Sequence, residues 1–435
     1  MRNFLLGALS LVTLNSSVAF ALSLPEAMEM AKEKNPVVAQ LRASESAADW
    51  QKTKAFSTFI PKITLQGQHL FSEKFQTLPV NLGTVPTPTP VEILMIQPYT
   101  QFTGRISWNI FEGLGGMRSY QAASLSYEAA SLERQRAEMQ IEKEVRTQFY
   151  QALGAQSLFE VAAQKVRALE EHKKDIDRTI RVGSGTKYDL LKIETQLAEA
   201  ETDKMQAEDN VVLTRTALAS LLGQEELPGD LIGDFFPVEN VKLPEKFSKE
   251  VSNRSDIEAK IKKEEAALRE SQMSKSWWFP KINLFAEKQF YNNFDKDWEY
   301  TNKFKDAYLV GVNFQWDIFD GGAAIANQMQ SKYQSVIAKE TTRAALLQYP
   351  QEVDRWRRKF NLSVAVYKSK SISIEKSQET VRLAKQGLRA GSLTNTDLLD
   401  AELELYTSRS RAVQARVDAI EALGNLELAT GKSYY

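Results

Sequence analysis

Cysteine is absent from the 435 residues and histidine occurs only twice. The first absence excludes disulfides, thiolate nucleophiles, cysteine-ligated metals and a lipidated cysteine. The second leaves His69, in a strand-like segment, and His172, on a charged helical face. Neither stands beside a nucleophile or carboxylate in a recognisable pattern, so no enzyme activity and no metal or cofactor site is expected. A charge surplus is missing too. With 55 basic and 56 acidic residues the chain has no global field to attract nucleic acid. Beyond residue 21 no long run is free of charges, and the mean hydropathy is −0.37, so no membrane-spanning helix is expected. Strands of a membrane β-barrel escape that test, because their apolar residues alternate with polar ones. The run Gly183-Ser184-Gly185-Thr186-Lys187 lacks the order of a phosphate-binding loop and follows a helical segment, which sets nucleotide binding aside.

What is present begins at the N-terminus. Met1-Arg2-Asn3 precedes an apolar run from Phe4 to Val12, then small residues ending Ala19-Phe20-Ala21. This is the pattern of a cleaved secretory signal, and the mature chain is expected to start near Leu22.

The rest repeats. Trp108-Asn109-Ile110-Phe111-Glu112-Gly113 recurs as Trp316-Asp317-Ile318-Phe319-Asp320-Gly321, an offset of 208 residues. The same offset relates Arg181-Val182-Gly183-Ser184 to Arg389-Ala390-Gly391-Ser392, and Asp189-Leu190-Leu191 to Asp397-Leu398-Leu399. A register held without gaps over so long a stretch marks a duplication. Upstream, Pro61-Lys62-Ile63 matches Pro280-Lys281-Ile282 at an offset of 219, so the first copy holds 11 extra residues. They are expected in a longer surface loop over Thr77 to Pro98, whose Pro-Thr-Pro-Thr-Pro run suits neither helix nor central strand.

Around these motifs the period is two. Phe102, Ile106, Trp108 and Ile110 alternate with polar residues, as do Tyr308, Val310, Val312, Phe314, Trp316 and Ile318, with only Leu309 out of pattern. Each copy therefore carries a β-hairpin, about 59–111 and about 278–319. Trp108, Trp277, Trp278, Trp298 and Trp316 fall in or beside them. Taken alone, such strands suit either a membrane barrel with aromatic girdles or the edge of a soluble sandwich. Four strands cannot close a barrel, and an edge left unpaired in lipid costs several kcal/mol per backbone group. If the strands meet lipid, several chains must share one barrel, and three chains supply twelve strands.

Between the hairpins the period is helical. Leu125, Leu132 and Met139, then Ala162, Leu169 and Ile176, recur every seven residues in a stretch from about Met117 to Arg181 that is nearly free of glycine and proline. A second helix is expected over about Tyr188 to Leu222. The other copy repeats the pair over about Ala323 to Ala390, with a bend at Pro350, and about Thr396 to Thr430. Each copy opens on a shorter helix, about Leu24 to Phe56 and about Glu250 to Ser276. The expected organisation is a signal over 1–21, repeat 1 over 22–222, a linker over 223–249, repeat 2 over 250–431, and a short tail, 432–435.

With these residues in view, the chain resembles the TolC family of outer-membrane efflux proteins. The resemblance rests on the duplicated order, the Pro-Lys-Ile strand entries, the Trp-x-Ile-Phe-[Asp/Glu]-Gly strand exits and the Gly-x-x-[Thr/Lys]-x-x-Asp-Leu-Leu turns at Gly183 and Gly391. It implies a mainly α fold with membrane β structure: a homotrimer whose twelve-stranded β-barrel, four strands from each chain, continues into a long coiled-coil α-barrel. It also implies a passive duct in a tripartite efflux or type I secretion system, embedded in outer-membrane lipid and engaged by a periplasmic adaptor and an inner-membrane pump. The helical turns then form a constriction. The family's two pore-facing aspartates match Asp397 and Asp400, which share a helix face beside Thr396. Six carboxylates in a trimer would favour cations. Tyr188 and Asp189 match a pair in the first-copy turn that helps latch the closed state. The usual latch partners, an arginine and a tyrosine, are replaced by Leu393 and Leu388, which leaves Lys187, Lys192 or Arg389 to make other contacts. A dipole-stabilised acid at a helix start is the alternative role for Asp397. The alternative for the whole chain is a trimeric coiled-coil surface or structural protein without transport.

Overall fold

The structure is a computed structural model that describes residues 21–71, 75–80, 91–96, 100–181, 186–244, 254–292 and 304–434. The signal segment expected over 1–21 lies outside the described residues except for Ala21. The elements in chain order are α1 (Leu24–Lys34), α2 (Pro36–Phe56), β1 (Lys62–His69), β2 (Phe75–Val80), β3 (Val91–Ile96), β4 (Thr100–Phe111), α3 (Gly115–Arg181), α4 (Lys187–Leu221), α5 (Ser255–Met273), β5 (Lys281–Asn292), β6 (Lys305–Gln315), α6 (Ala323–Arg389) and α7 (Asn395–Thr430). Among the described residues no helix is long and apolar enough to cross a membrane.

The chain divides into two units. One, formed from residues 44–131 and 259–343, holds a four-stranded antiparallel sheet in the order β1-β4-β5-β6. Its register sorts the side chains. Arg105 faces Glu287, Ser107 faces Phe285, and Lys62 faces Ser107, so these share one face with Gln66, Thr103 and Asn313. Ile63, Ile106, Ala286 and Val310 form a row across the other. That apolar face is open to solvent in the single chain: Leu65 is 82% exposed and Val310 79%. Leu309, the residue out of pattern, sits opposite Glu287 on the polar face. Rings cover glycines on neighbouring strands, Phe102 against Gly67 and Phe285 against Gly311, each at about 3 Å from where a Cβ would stand.

The strand exits show what the shared motif builds. Trp108 Nε1 donates to the Phe59 carbonyl at 3.0 Å, tying the end of β4 to the residues entering β1. Gly113 has φ +63°, and a Cβ there would lie 2.8 Å from the Ser276 carbonyl oxygen; its counterpart Gly321 has φ +76°. A residue with a side chain is strained at such φ values.

Three expectations for this unit change. The loop over Thr77–Pro98 contains a separate two-stranded ribbon, β2 with β3; its Pro-Thr-Pro-Thr-Pro run lies outside the described residues. Pro79 is tolerated in β2 because each strand of a two-stranded ribbon is an edge. Secondly, β6 stops at Gln315, so Trp316 and Ile318 are not in the strand, whereas β4 takes in their equivalents Trp108 and Ile110 and runs on to Phe111. The reason is the neighbours. Gln315 pairs with Lys281, the first residue of β5, and no ladder remains beyond it, while β4 slips past through a bulge at Asn109/Phe111 to pair with Ile282. Thirdly, α5 is shorter than the expected Glu250–Ser276; its last turn tightens into a 3-10 segment, Ser274–Trp278.

The other unit, from residues 1–43, 132–258 and 344–435, packs the far parts of the long helices. Phe149, Val145, Ile420 and Leu423 are wholly buried with Leu218 and Leu222. α3 and α6 are each 67 residues long, their partners α4 and α7 are 35 and 36, and α6 stays helical through Pro350. The expected helix Leu24–Phe56 is broken in two. Pro36 cannot donate to the preceding turn, and Asn35 takes over: its carboxamide oxygen accepts from the Val37 N–H at 2.8 Å while its amide donates to the Leu221 carbonyl at 2.8 Å. The linker lies against this core. Leu22 pairs with Leu231, and Arg416 donates to the carbonyls of Phe235 and Phe236 at 2.9 and 3.4 Å.

Candidate functional site

The residues singled out in the sequence lie where α4 and α7 begin, both in the unit formed by residues 1–43, 132–258 and 344–435. The two starts are built alike. Thr186 caps α4, accepting from the Asp189 N–H at 3.1 Å and donating to the Asp189 carboxylate at 2.5 Å. Thr394, its equivalent at the 208 offset, caps α7: it accepts from the Asp397 N–H at 3.2 Å, and the Asp397 carboxylate takes both the Thr394 hydroxyl (2.6 Å) and its backbone N–H (2.8 Å). Reciprocal bonds of this kind satisfy the otherwise orphaned donors of a helix start. Hydrogen bonds from the Thr394 side chain and backbone, with the charge of Lys192, hold the Asp397 carboxyl below its ordinary value. Asp397 is therefore the helix-capping acid of the alternative reading, and it remains exposed to solvent.

Asp400, one turn on, is exposed and takes no part in the cap; Tyr188 is 70% exposed. Thr396 is half-buried and accepts from Lys192 Nζ at 3.2 Å. Of the three basic residues considered as latch groups, Lys192 makes the contact between hairpins, while Lys187 and Arg389 are exposed.

Between α6 and α7 the chain reverses through Gly391, at φ +72°, with the Gly387 carbonyl accepting from the N–H groups of Ser392 (2.9 Å) and Leu393 (3.3 Å). A Cβ on Gly387 would lie 2.7 Å from Leu393 Cδ1, so the leucine lies directly on the glycine. Leu388 packs against the cluster of Val381, Ala384, Leu398, Ala401 and Leu405. The leucines at the two latch positions thus fill the turn with apolar contacts.

Sequence reasoning missed the groups behind the turns. His172 was read as a residue of a charged face without a carboxylate beside it, but it is only 7% exposed and lies within the field of Glu402, on α7 and 230 positions away. Burial pushes its imidazole below the ordinary value of 6.5, Glu402 opposing and Lys385 assisting the shift. Glu402 is 5% exposed and accepts from Lys385 Nζ at 3.1 Å. Farther along the same helices, the Tyr406 hydroxyl donates to the Gln164 carbonyl at 3.4 Å and Arg409 to the Gln164 side chain at 2.9 Å. Nothing local marks these residues. Among the described residues no group of acidic, histidine or cysteine side chains is arranged to hold a metal ion.

The chain matches the family model described as outer membrane efflux protein over residues 27–224 and 247–432, one match for each repeat. It is 24% identical over 297 residues to the proteases secretion protein PrtF of Dickeya chrysanthemi, a match that covers 65% of this chain and 62% of that protein. It is 21% identical over 422 residues to the outer membrane protein TolC of Vibrio cholerae, covering 96% and 92%. Among solved structures, the outer membrane protein VceC of Vibrio cholerae superposes with a TM-score of 0.75 at 17% identity, covering 95% of this chain and 97% of that one. The likeness to VceC is one of fold.

Proposed function

The chain belongs to the outer membrane efflux protein family, and on that premise we propose that it is one protomer of a homotrimeric outer-membrane duct with a periplasmic helical part. The observation that carries this reading is the sheet. Its face of Ile63, Leu65, Ile106, Val310 and Val312 is open to solvent, and its outer strands β1 and β6 each have one partner among the described residues. A soluble chain would bury such a face. In lipid the face is satisfied, and the two edges are satisfied only if β6 of one copy pairs with β1 of the next. Three copies close twelve strands, with the Gln66, Thr103, Arg105 and Asn313 face lining water.

In this reading the starts of α4 and α7 form the constriction, with Asp400 and Asp397 as its acidic groups, Asp189 and Tyr188 beside them and Thr396 held by Lys192. The duct has no catalytic role and conducts passively. It serves a tripartite efflux or type I secretion assembly through a periplasmic adaptor and an inner-membrane pump. Residues 1–21 are its export signal, 22–222 and 250–431 its two repeats, and 223–249 the linker.

Purified protein in planar bilayers tests the reading: ion-conducting pores from a species of trimer mass are expected. A monodisperse protein that inserts nowhere and conducts nothing would instead support a structural coiled-coil role.

A further inference from the structure

We propose that the seam between neighbouring copies repeats the register the chain uses between its own two β-hairpins, so that β6 of one copy meets β1 of the next as β4 meets β5. The inference rests on the duct reading and adds to it which residues meet. Its basis is that the two hairpins are built in one register. Lys62 faces Ser107 and His69 faces Thr100 in the first, while Lys281 faces Gln315 and Lys288 faces Tyr308 in the second. These are the same positions, at the 219-residue offset for β1 and β5 and the 208-residue offset for β4 and β6. The entry turns match as well. The Ile60 N–H donates to the Ser57 carbonyl at 3.1 Å, and the Phe279 N–H to the Ser276 carbonyl at 3.0 Å.

The exits differ, and the difference is one of neighbours. At the end of the first hairpin a Cβ on Gly113 would lie 2.8 Å from both the Ser276 carbonyl oxygen and Phe279 Cβ, and the Phe111 ring stands edge-on to Phe279, their centroids 6.4 Å apart. The second hairpin has no such cover. Gly321 keeps the left-handed backbone, φ +76°, yet no described atom lies within 4 Å of where its Cβ would stand, and Phe319, the equivalent of Phe111, is 83% exposed. Ile60, the equivalent of Phe279, is 52% exposed. One chain thus shows an exit turn with no entry turn against it, and a second copy supplies one.

Carried across the seam by the two offsets, the pairs Arg105 with Glu287, Ser107 with Phe285 and Phe111 with Ile282 become Asn313 with Gln68, Gln315 with Gln66 and Phe319 with Ile63 of the next copy. Each row keeps its face. Asn313, Gln315, Gln66 and Gln68 all lie on the polar side of the sheet, so a slip by one residue, which would set polar against apolar on both faces, is excluded. A slip by two preserves the faces but carries Gly321 one full pleat, about 7 Å, away from Ser57 and Ile60. In this register β6 runs on to Phe319, as β4 runs to Phe111. It stops at Gln315 in the single chain because the strand that continues its ladder belongs to another copy, and pairing there satisfies both edges in lipid.

The chain has no cysteine, so four exposed positions on the polar face decide the register: Gln66→Cys, Gln68→Cys, Asn313→Cys and Gln315→Cys. Within one chain β1 and β6 are held apart by β4 and β5, so a disulfide between them joins two copies. Under mild oxidation of the full-length protein, Gln66→Cys with Gln315→Cys and Gln68→Cys with Asn313→Cys are expected to give covalent dimers and trimers on a non-reducing gel, because facing residues stand about 4.5–5.5 Å apart. Gln66→Cys with Asn313→Cys and Gln68→Cys with Gln315→Cys set the same residues roughly 7–8 Å apart and are expected to stay unlinked. Links in the displaced pairs in place of the facing ones overturn the register, and no link in any pair overturns the seam. Amide exchange on the unsubstituted protein needs no variant: residues 316–319 are expected to exchange as slowly as 108–111, and loop-like rates there overturn the extension of β6. Mass and bilayer conductance of the unsubstituted protein read the duct separately. A conducting trimer with the wrong links removes the register and leaves the duct, whereas a monomer without pores removes both.

Discussion

Lys192 Nζ on α4 stands 3.2 Å from Thr396 Oγ1 on α7, joining the second turn of one return helix to the first turn of the other. Lys192 is itself the repeat equivalent of Asp400, at the 208 offset, so the two copies place opposite charges at one position. After the two Thr394 hydrogen bonds, the charge of this lysine adds a smaller lowering of the Asp397 carboxyl. Lys192→Met is expected to release Thr396, raise the Asp397 value toward that of an ordinary carboxylate, and increase resting conductance. Single-channel recording together with side-chain titration by NMR checks both effects.

Asp400 and Asp397 separate by their contacts. Asp397 caps a helix and Asp400 caps nothing. Asp400→Asn is expected to weaken block by a trivalent cation by about an order of magnitude, a change of roughly 1.4 kcal/mol in binding, without lowering the melting temperature. Asp397→Asn should do both. Blocker titration in bilayers and a thermal melt on each variant give the comparison.

Gly223 ends α4 at φ +67°, and a Cβ there would stand 2.5 Å from the Lys34 carbonyl oxygen. Backbone cannot swing aside as a side-chain tip can. Gly223→Ala should therefore destabilise the packing of α1 on α4 by about 1–3 kcal/mol, seen as a lower thermal midpoint and faster amide exchange around Asn35.

Phe149 is 1% exposed in the core formed with Val145, Ile420 and Leu423. Phe149→Ala removes a whole ring from a packed interior and is expected to cost about 3–5 kcal/mol. Denaturant unfolding of the solubilised protein would measure it, and Phe149→Leu should recover most of the loss.

Acid stability has a contributor at Asp256. Burial pushes the Asp256 carboxyl up, but hydrogen bonds from Arg254 (2.6 and 2.8 Å) and the charge of Arg136 outweigh it and hold the group below its ordinary value. A depressed carboxyl contributes stability that is present above its unfolded value of 3.8 and is lost as pH falls through the folded one. Arg254 also ties Glu352 (2.9 Å) and the Ala429 carbonyl (2.9 Å), so Arg254→Met should raise the pH at which this unit unfolds. An acid titration followed by circular dichroism tests the direction.

The sequence by itself determined what depends on near neighbours. The period of two and the spacing of seven follow from strand and helix geometry, and the gapless 208-residue offset carries the duplication, so the strands of the four-stranded sheet and the paired long helices were legible, whereas the threonine caps of α4 and α7 were not. The acidic pair at the second turn was legible through the family's motif, although its division into a capping Asp397 and an uncommitted Asp400 was not. The break at Asn35 was also readable in principle, since proline follows it. Tertiary structure alone decided the rest. Where β6 ends depends on where its partner begins, and Leu388 and Leu393 take apolar roles only because a cluster and a glycine stand against them. His172 looks like one more polar residue on a charged helix. It becomes a buried base within the field of Glu402 only when α7 is laid against α3, and no local period encodes a proximity between residues 230 positions apart.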